Sequence, residues 1–423
     1  MKTLRKTLLS ASIGNMLEFY SFTLFGLFLP VISPLFFPEK DPVASLLYGY
    51  IFFAVGFFAY PLGALLFGHI GDRVGRKKAL SLAICIMAFP TALIGMLPSY
   101  SYLGIFSPIL LFICRLLQGI CAGGEYNGAG IFIIEHAGKN KEGFSGAFVA
   151  AAGTFGAFFA TIIGFIFTVP GMPEWAWRIP FFLGSFIGFV GFYIRRELKE
   201  SPEFLKDNEF SKKISPFVEI VKHHYKAFIC AVGIGALGTV PFYMVIGYLN
   251  TYFVTIEKIN LFEMMALNMG LTFFCAITLP FIGSMADSIG HARIMIISSL
   301  VLLCYSFLFF LLLQEKSIFI IAIAEAFLLG LSQGYVAPLN AFVSKLFPVS
   351  VRYSGTSLGY CVGMALFGGT TPYISSILIE YTHNPIAPAF YLIFVCLLGI
   401  ISVSMSSYYL KTKILFSNET SLS

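Results

Sequence analysis

Four ionisable side chains stand where a chain can least easily carry charge. Glu18, Arg115, Glu125 and Glu325 each lie well inside a long apolar run, and groups held away from water in this way usually face a cavity and serve binding or proton movement. Arg115, Gln118, Ala122 and Glu125 are spaced i, i+3, i+7 and i+10, which keeps them on one broad helix face. A guanidinium there can hold a carboxylate by two parallel hydrogen bonds. A glutamate beside it, short of water and steadied by the cation, can take up and release a proton. The alternative is a structural ion pair between helices. Glu18 admits either reading, and Glu325 reads as structural.

A second constellation is the polar interruption "GHIGDRVGRKK" at residues 68–78. Gly68 and Gly71 carry no side chain, so the end of the preceding helix can approach a neighbour closely. Asp72 can accept backbone N–H groups at the N-terminus of another helix, where the dipole favours an anion. Beyond Gly75, Arg76 and the lysines, with Arg73 before it, can meet acidic groups or phosphate heads. A plain turn rich in positive charge is the competing reading. A related interruption, "GSMADSIGHAR", begins at Gly283 and carries Asp287; His291 and Ala292 replace Arg76 and Lys77, so a weaker grip is expected. No HExxH, no GxSxG at a strand-to-helix elbow, no GxxxxGK[ST] and no paired-histidine metal spacing occurs, so neither an enzyme nor a cofactor or metal site is expected.

Composition states what must position these groups. The 423 residues are 58% hydrophobic and only 11% charged, with a mean hydropathy of +0.86, too few charges to cover a water-soluble domain of this length. Twelve apolar runs are long enough to span a bilayer: about 11–37, 45–70, 79–98, 105–135, 144–170, 177–195, 226–254, 264–286, 293–313, 317–344, 354–380 and 388–410. They are continuous rather than alternating, hence helices and not barrel strands. The first run is too long for a signal peptide and contains Glu18, so it reads as a retained helix. With the N-terminus in the cytoplasm, 22 of the 27 Lys and Arg residues fall on the cytoplasmic side, four opposite, and only Arg115 within a span. The net charge of +6 therefore reflects orientation, not a nucleic-acid footprint, and both termini are expected to be cytoplasmic. All eight cysteines lie in spans and read as packing residues.

The halves repeat. Asp72 and Asp287 are 215 residues apart, as are Gly75 and Gly290; Gly119 and Gly330 are 211 apart; "FSGAF" and "YSGTS" are offset by 209. Two related six-helix bundles about a midplane site follow: residues 1–195, a cytoplasmic linker at 196–225, and residues 226–423.

With these features in view, "GHIGDRVGRKK" resembles the loop between helices two and three of the major facilitator superfamily. "GNMLEFYSFTLFG", "RLLQGICAGGEYNGAGIFIIEHA", "RRELKESPEF" and "LFPVSVRYSGTSLGYCVGMALFGGTTPY" resemble its metabolite:proton symporter branch, most closely the proline/betaine type. The resemblance covers nearly the whole chain. It implies a major facilitator fold of twelve transmembrane helices in a cell inner membrane, functional as a monomer. It implies that Gly68, Asp72, Arg73, Gly75 and Arg76 grip helix eleven and shut the cytoplasmic side, with Asp287 as the second copy and Glu135 as a gate partner. One departure stands out: the branch usually has an aspartate where this chain has Ser21, which either places proton coupling on Glu18 and Glu125 or leaves transport without proton coupling. A lone midplane cation suits a zwitterion or monocarboxylate better than a di- or tricarboxylate. Arg115 and Gln118 are expected at the carboxylate, with rings such as Tyr20, Tyr126, Tyr243 and Tyr360 to receive an ammonium by cation–π contact. The expectation is secondary active import of a small-molecule zwitterion such as proline or glycine betaine with protons. Import of a mono- or dicarboxylate and drug efflux are the alternatives.

Overall fold

A computed structural model describes residues 2–39, 42–138, 141–167, 169, 171–196, 198–207 and 215–420. Among them every long element is a helix. We number the twelve spans in chain order. The first, α1, is Leu8–Leu27 continued after a 67° bend as Leu29–Phe36. The others are α2 Ala44–Arg73, α3 Arg76–Met96, α4 Phe106–Ala137, α5 Glu142–Phe167, α6 Ala176–Arg195, α7 Tyr225–Thr255, α8 Leu261–Ile289, α9 His291–Glu315, α10 Ile318–Ser344, α11 Val349–Thr382 and α12 Pro388–Thr412. The bend in α1 has a covalent cause, because Pro30 opens the second segment, offers no N–H and excludes the carbonyl four residues back. Two short helices, Pro202–Asp207 and Pro216–His223, lie between α6 and α7. Of the expected linker, residues 197 and 208–214 lie outside the described residues, as do Lys40 and Lys139 of the charge count.

The spans form two six-helix bundles, in which α1 packs on α4, α5 and α6, and α7 packs on α10, α11 and α12. The bundles meet where α5 lies against α8 and α2 against α11. In a bilayer, close helix contact requires small residues, since lipid tails compete equally well for apolar side chains. The pairing of α2 with α4 follows that rule: a Cβ at Gly119 or Gly123 would overlap the backbone carbonyl of Gly56 or Tyr60. This contact fixes the rotation of α4, and with it the directions of Arg115 and Glu125. In the second bundle α7 and α11 each loosen into a short π-helical stretch, Met244–Leu249 and Met364–Gly368, the kind of local widening that often adjoins a functional site.

Candidate functional site

At the end of the bundle pair that carries Asp72, the carboxylate caps α11 from outside that helix. Asp72 Oδ1 accepts from the Tyr353 N–H at 3.3 Å, and Oδ2 accepts from the Ser354 N–H at 2.9 Å and the Ser354 hydroxyl at 2.6 Å. These N–H groups are the second and third of the helix beginning at Arg352, the donors an N-cap side chain normally satisfies. Gly75, at φ 132°, turns the chain between α2 and α3 in a conformation that favours glycine. Arg76 is buried, reaching Asp72 Oδ1 at 3.2 Å and donating to the carbonyls of Gly71 at 2.6 Å and Val349 at 3.1 Å. Glu135 lies 3.6 Å from Arg76 Nε, accepts from Arg352 at 3.2 Å and is bonded by the Ser201 hydroxyl. Arg73 is half-buried alongside.

The second copy repeats this register. Asp287 accepts from the N–H groups of Gly143 at 2.7 Å and Phe144 at 2.9 Å, again the second and third of a helix, here α5. His291 stands at 3.1 Å, in the i+4 position that Arg76 holds relative to Asp72. The expected weakening is not seen in the backbone bonds, because the grip depends on peptide N–H groups that are indifferent to the lost arginine.

The helix-four charges are partnered differently from expectation. Glu125 does not meet Arg115. It is held by Arg195, whose Nη1 donates to Oε2 at 2.9 Å and whose Nη2 donates to Oε1. Arg195 also donates to the carbonyls of Ser10 at 3.3 Å, Ala11 at 2.5 Å and Leu80 at 2.7 Å. One guanidinium thus ties α6 to α1, α3 and α4. The charge count includes Arg195 among the cytoplasmic-side cations, and the residue is 0% exposed, its guanidinium turned into the bundle.

Arg115 is also fully buried. Its Nη1 donates to Gln118 Oε1 at 2.9 Å, Gln118 donates to Thr91 Oγ1 at 3.0 Å, and Ser21 lies 3.4 Å from that same oxygen. The guanidinium is sandwiched over Phe22 and Phe25, 4.3 Å from each ring centre, and its Nε and Nη2 have no partner. Glu18 Oε1 accepts from the Tyr60 hydroxyl at 2.9 Å, while Oε2 is unpartnered.

Between the bundles lies a chamber of ≈ 40 Å³ lined by Phe19 and Tyr126 from one side and Phe242, Tyr243 and Tyr360 from the other. Polar groups enter only as neutral side chains, among them Thr154, Thr239, Ser332 and Gln333. Of the six residues expected at the substrate, Tyr126, Tyr243 and Tyr360 line it; Arg115, Gln118 and Tyr20 do not. Tyr20 faces α6 instead and donates to the Pro180 carbonyl at 2.7 Å. Arg115 lies against Phe22, whose ring contacts Phe57 at 5.0 Å, and Phe57 in turn contacts Tyr60 at 5.3 Å and Tyr243 of the chamber at 4.8 Å, so these rings stand between Arg115 and the chamber. Sequence reasoning also missed Arg195, Ser354, Arg352 and Ser201. Arg195 and Ser201 fall in "RRELKESPEF", and Arg352 and Ser354 in "LFPVSVRYSGTSLGYCVGMALFGGTTPY", stretches that marked the family without assigning these side chains a partner.

Two helical bundles closed around a small chamber, with paired carboxylate clasps at one end, define a multi-pass membrane transporter. The chain belongs to the Major Facilitator Superfamily, which matches residues 11–368. It is 31% identical over 418 residues to the proline/betaine transporter of Salmonella typhimurium, covering 94% of this chain and 82% of that one. It is 33% identical to a putative proline/betaine transporter of Staphylococcus aureus (95% and 88% covered). It is 31% identical to the glycine betaine/proline/ectoine/pipecolic acid transporter of Dickeya dadantii (94% and 82%). Among solved structures, a proton:xylose symporter bound to 6-bromo-6-deoxy-D-glucose superposes with a TM-score of 0.77 at 15% identity, covering 97% and 96% of the two chains.

Proposed function

We propose that this transporter imports a small zwitterion such as proline or glycine betaine, driven by protons. The observation that carries the reading is the chamber itself: aromatic rings from both bundles and no charged side chain in its lining. Rings stabilise a quaternary or secondary ammonium through their negative faces. A lining without formal charge suits a solute whose own charges cancel, whereas a dicarboxylate would require cations there. The names of the relatives support the same class of solute. A chamber of ≈ 40 Å³ holds a few waters at about 10–15 Å³ each, so the solute is admitted only as the bundles part.

In this reading Arg115, with two unpaired nitrogens, receives the carboxylate once Phe57, Tyr60 and Tyr243 move. Glu18 is the proton carrier of the first bundle, having one bonded and one free oxygen, a balance that gain or loss of a proton can tip. Glu125, clamped by Arg195 at both oxygens, keeps α4 in place. Asp72, Arg76, Glu135 and Asp287 form the gate, on the cytoplasmic side with both termini. Residues 1–195 and 226–423 move as the two units about the linker, in a monomer. The test is uptake of labelled proline and glycine betaine in a transport-deficient host, with and without a protonophore, for the native chain and Glu18→Gln. Expected are accumulation abolished by the protonophore and, in the variant, exchange without accumulation. Accumulation of a dicarboxylate but neither zwitterion would overturn the solute class, and accumulation that survives the protonophore would overturn the coupling.

A further inference from the structure

Glu325 is a carboxylate that no role described above uses. It is 0% exposed, and neither of its oxygens has a hydrogen-bond partner. It is not turned to lipid: the exposed positions of α10 are Ile318, Phe319, Ile323 and Phe327, whereas Glu325, Ser332 and Val336 are spaced i, i+7 and i+11 and so share a face. Ser332 and Val336 line the chamber. Glu325 therefore lies on the chamber-facing side of α10, two turns or about 10 Å beyond Ser332 at 1.5 Å per residue, toward the end opposite Asp72.

A polar pair stands at a corresponding depth in the neighbouring helices. Asn268 stands two turns into α8, as Glu325 stands two turns into α10, and its Nδ2 donates to Asn250 Oδ1 of α7 at 2.7 Å. Asn250 Nδ2 and Asn268 Oδ1 are left without partners. Helices α7, α8 and α9 all pack on α10. The titratable side chains they turn toward it are Tyr305 of α9, which donates to the Ala324 carbonyl at 3.2 Å, Cys275 of α8, which lies beside Gln333, and Tyr243 of α7 on the chamber. None bonds Glu325, and among the described residues no lysine, arginine or second acid pairs with it.

An ionised carboxylate so placed would lack both water and a counter-charge, and a bound proton removes that penalty. A sodium ion would need several further oxygen ligands, and one carboxylate does not supply them. We infer that Glu325 is a proton-binding site of the second bundle, occupied in the closed arrangement and emptied when the bundles part at the end opposite Asp72 and water reaches the Asn250–Asn268 pair. The inference rests on proton-driven transport for its consequence but not for its first test.

That test is carbodiimide labelling of the purified native carrier, read by mass spectrometry, because the reagent adds to protonated acids in apolar surroundings whatever the solute. Expected is an adduct on Glu325 whose yield falls at least five-fold as pH is raised from 6 to 9, while a folded Glu325→Gln carrier lacks it. Proton-driven accumulation in Glu325→Gln should fall about ten-fold, with solute exchange within two-fold of native and with partial recovery in Glu325→Asp. An unlabelled Glu325 at pH 6, a yield independent of pH, or native accumulation in Glu325→Gln each overturns the inference. If neither proline nor glycine betaine is carried, the labelling arm still decides it.

Discussion

Replacing Asp72 by asparagine removes the charge from the clasp while keeping its shape. The native carboxylate accepts three hydrogen bonds from α11 and one contact from Arg76. Asparagine keeps one oxygen, and its amide nitrogen then faces an N–H donor. A hydrogen bond to a charged group is worth about 1.5–3 kcal/mol and a neutral one about 1 kcal/mol. Loss of one bond and weakening of the others therefore amounts to about 2–4 kcal/mol, including the helix-terminal term. At 1.4 kcal/mol per decade, the balance between closed and open at this end shifts by roughly 30- to 700-fold. A single reporter cysteine at Thr239, on the chamber wall, reads the shift as thiol labelling from the Asp72 side of oriented vesicles. Labelling should rise in Asp72→Asn and accumulation should fall, with insertion unchanged. Labelling and uptake both equal to the native carrier would refute the argument that this carboxylate holds the gate.

Removal of Arg195 leaves Glu125 buried without its counter-charge. Arg195→Met should therefore destabilise the detergent-solubilised carrier by about 3–5 kcal/mol, and adding Glu125→Met should recover most of it, as breaking a buried pair costs more than replacing both partners; thermal unfolding of the two variants reads the difference. Arg115→Lys keeps the charge but loses the planar sandwich between Phe22 and Phe25 and the paired nitrogens. Its apparent affinity for the zwitterion should fall at least ten-fold while expression and melting stay near native, as measured by solute binding alongside thermal unfolding.

The bundle architecture was legible because hydropathy is set by long uninterrupted runs, and a bilayer leaves a helix as the way to satisfy the backbone in each. The Asp72 clasp was legible too, since a carboxylate beyond small residues has few uses other than a helix end. What escaped was direction. Glu18, Phe19, Tyr20 and Ser21 are consecutive, so they point about 100° apart; Phe19 reaches the chamber, Tyr20 faces α6, and Glu18 meets Tyr60. Arg195 escaped for a related reason. Beside Arg196 and Lys199 it reads as one of a surface cluster, yet side chains lean toward the helix N-terminus, and at the last turn of α6 that lean carries Arg195 into the bundle while Arg196 stays exposed.

If the proposed function holds, the placement of charge explains how such a carrier can both close and reopen. The chamber lining is neutral, so the bundles can shut over a zwitterion without trapping net charge, while Arg115 and Glu18 wait behind rings that contact across the boundary. Closure at the Asp72 end relies on peptide N–H groups meeting two carboxylates, five hydrogen bonds in all counting the Ser354 hydroxyl. Each such bond is exchanged for water when the end opens, so its net worth is about 0.5–3 kcal/mol, not the much larger gas-phase value. A seam of apolar side chains of similar extent would be strong for another reason, because opening it would expose area at about 25 cal/mol per Å² with nothing in return. On the proposed reading, helix ends clasped by acids give a gate firm enough to seal and weak enough for a solute and a proton to release. Two clasps in the same register, one on each bundle, let that release act on both halves together.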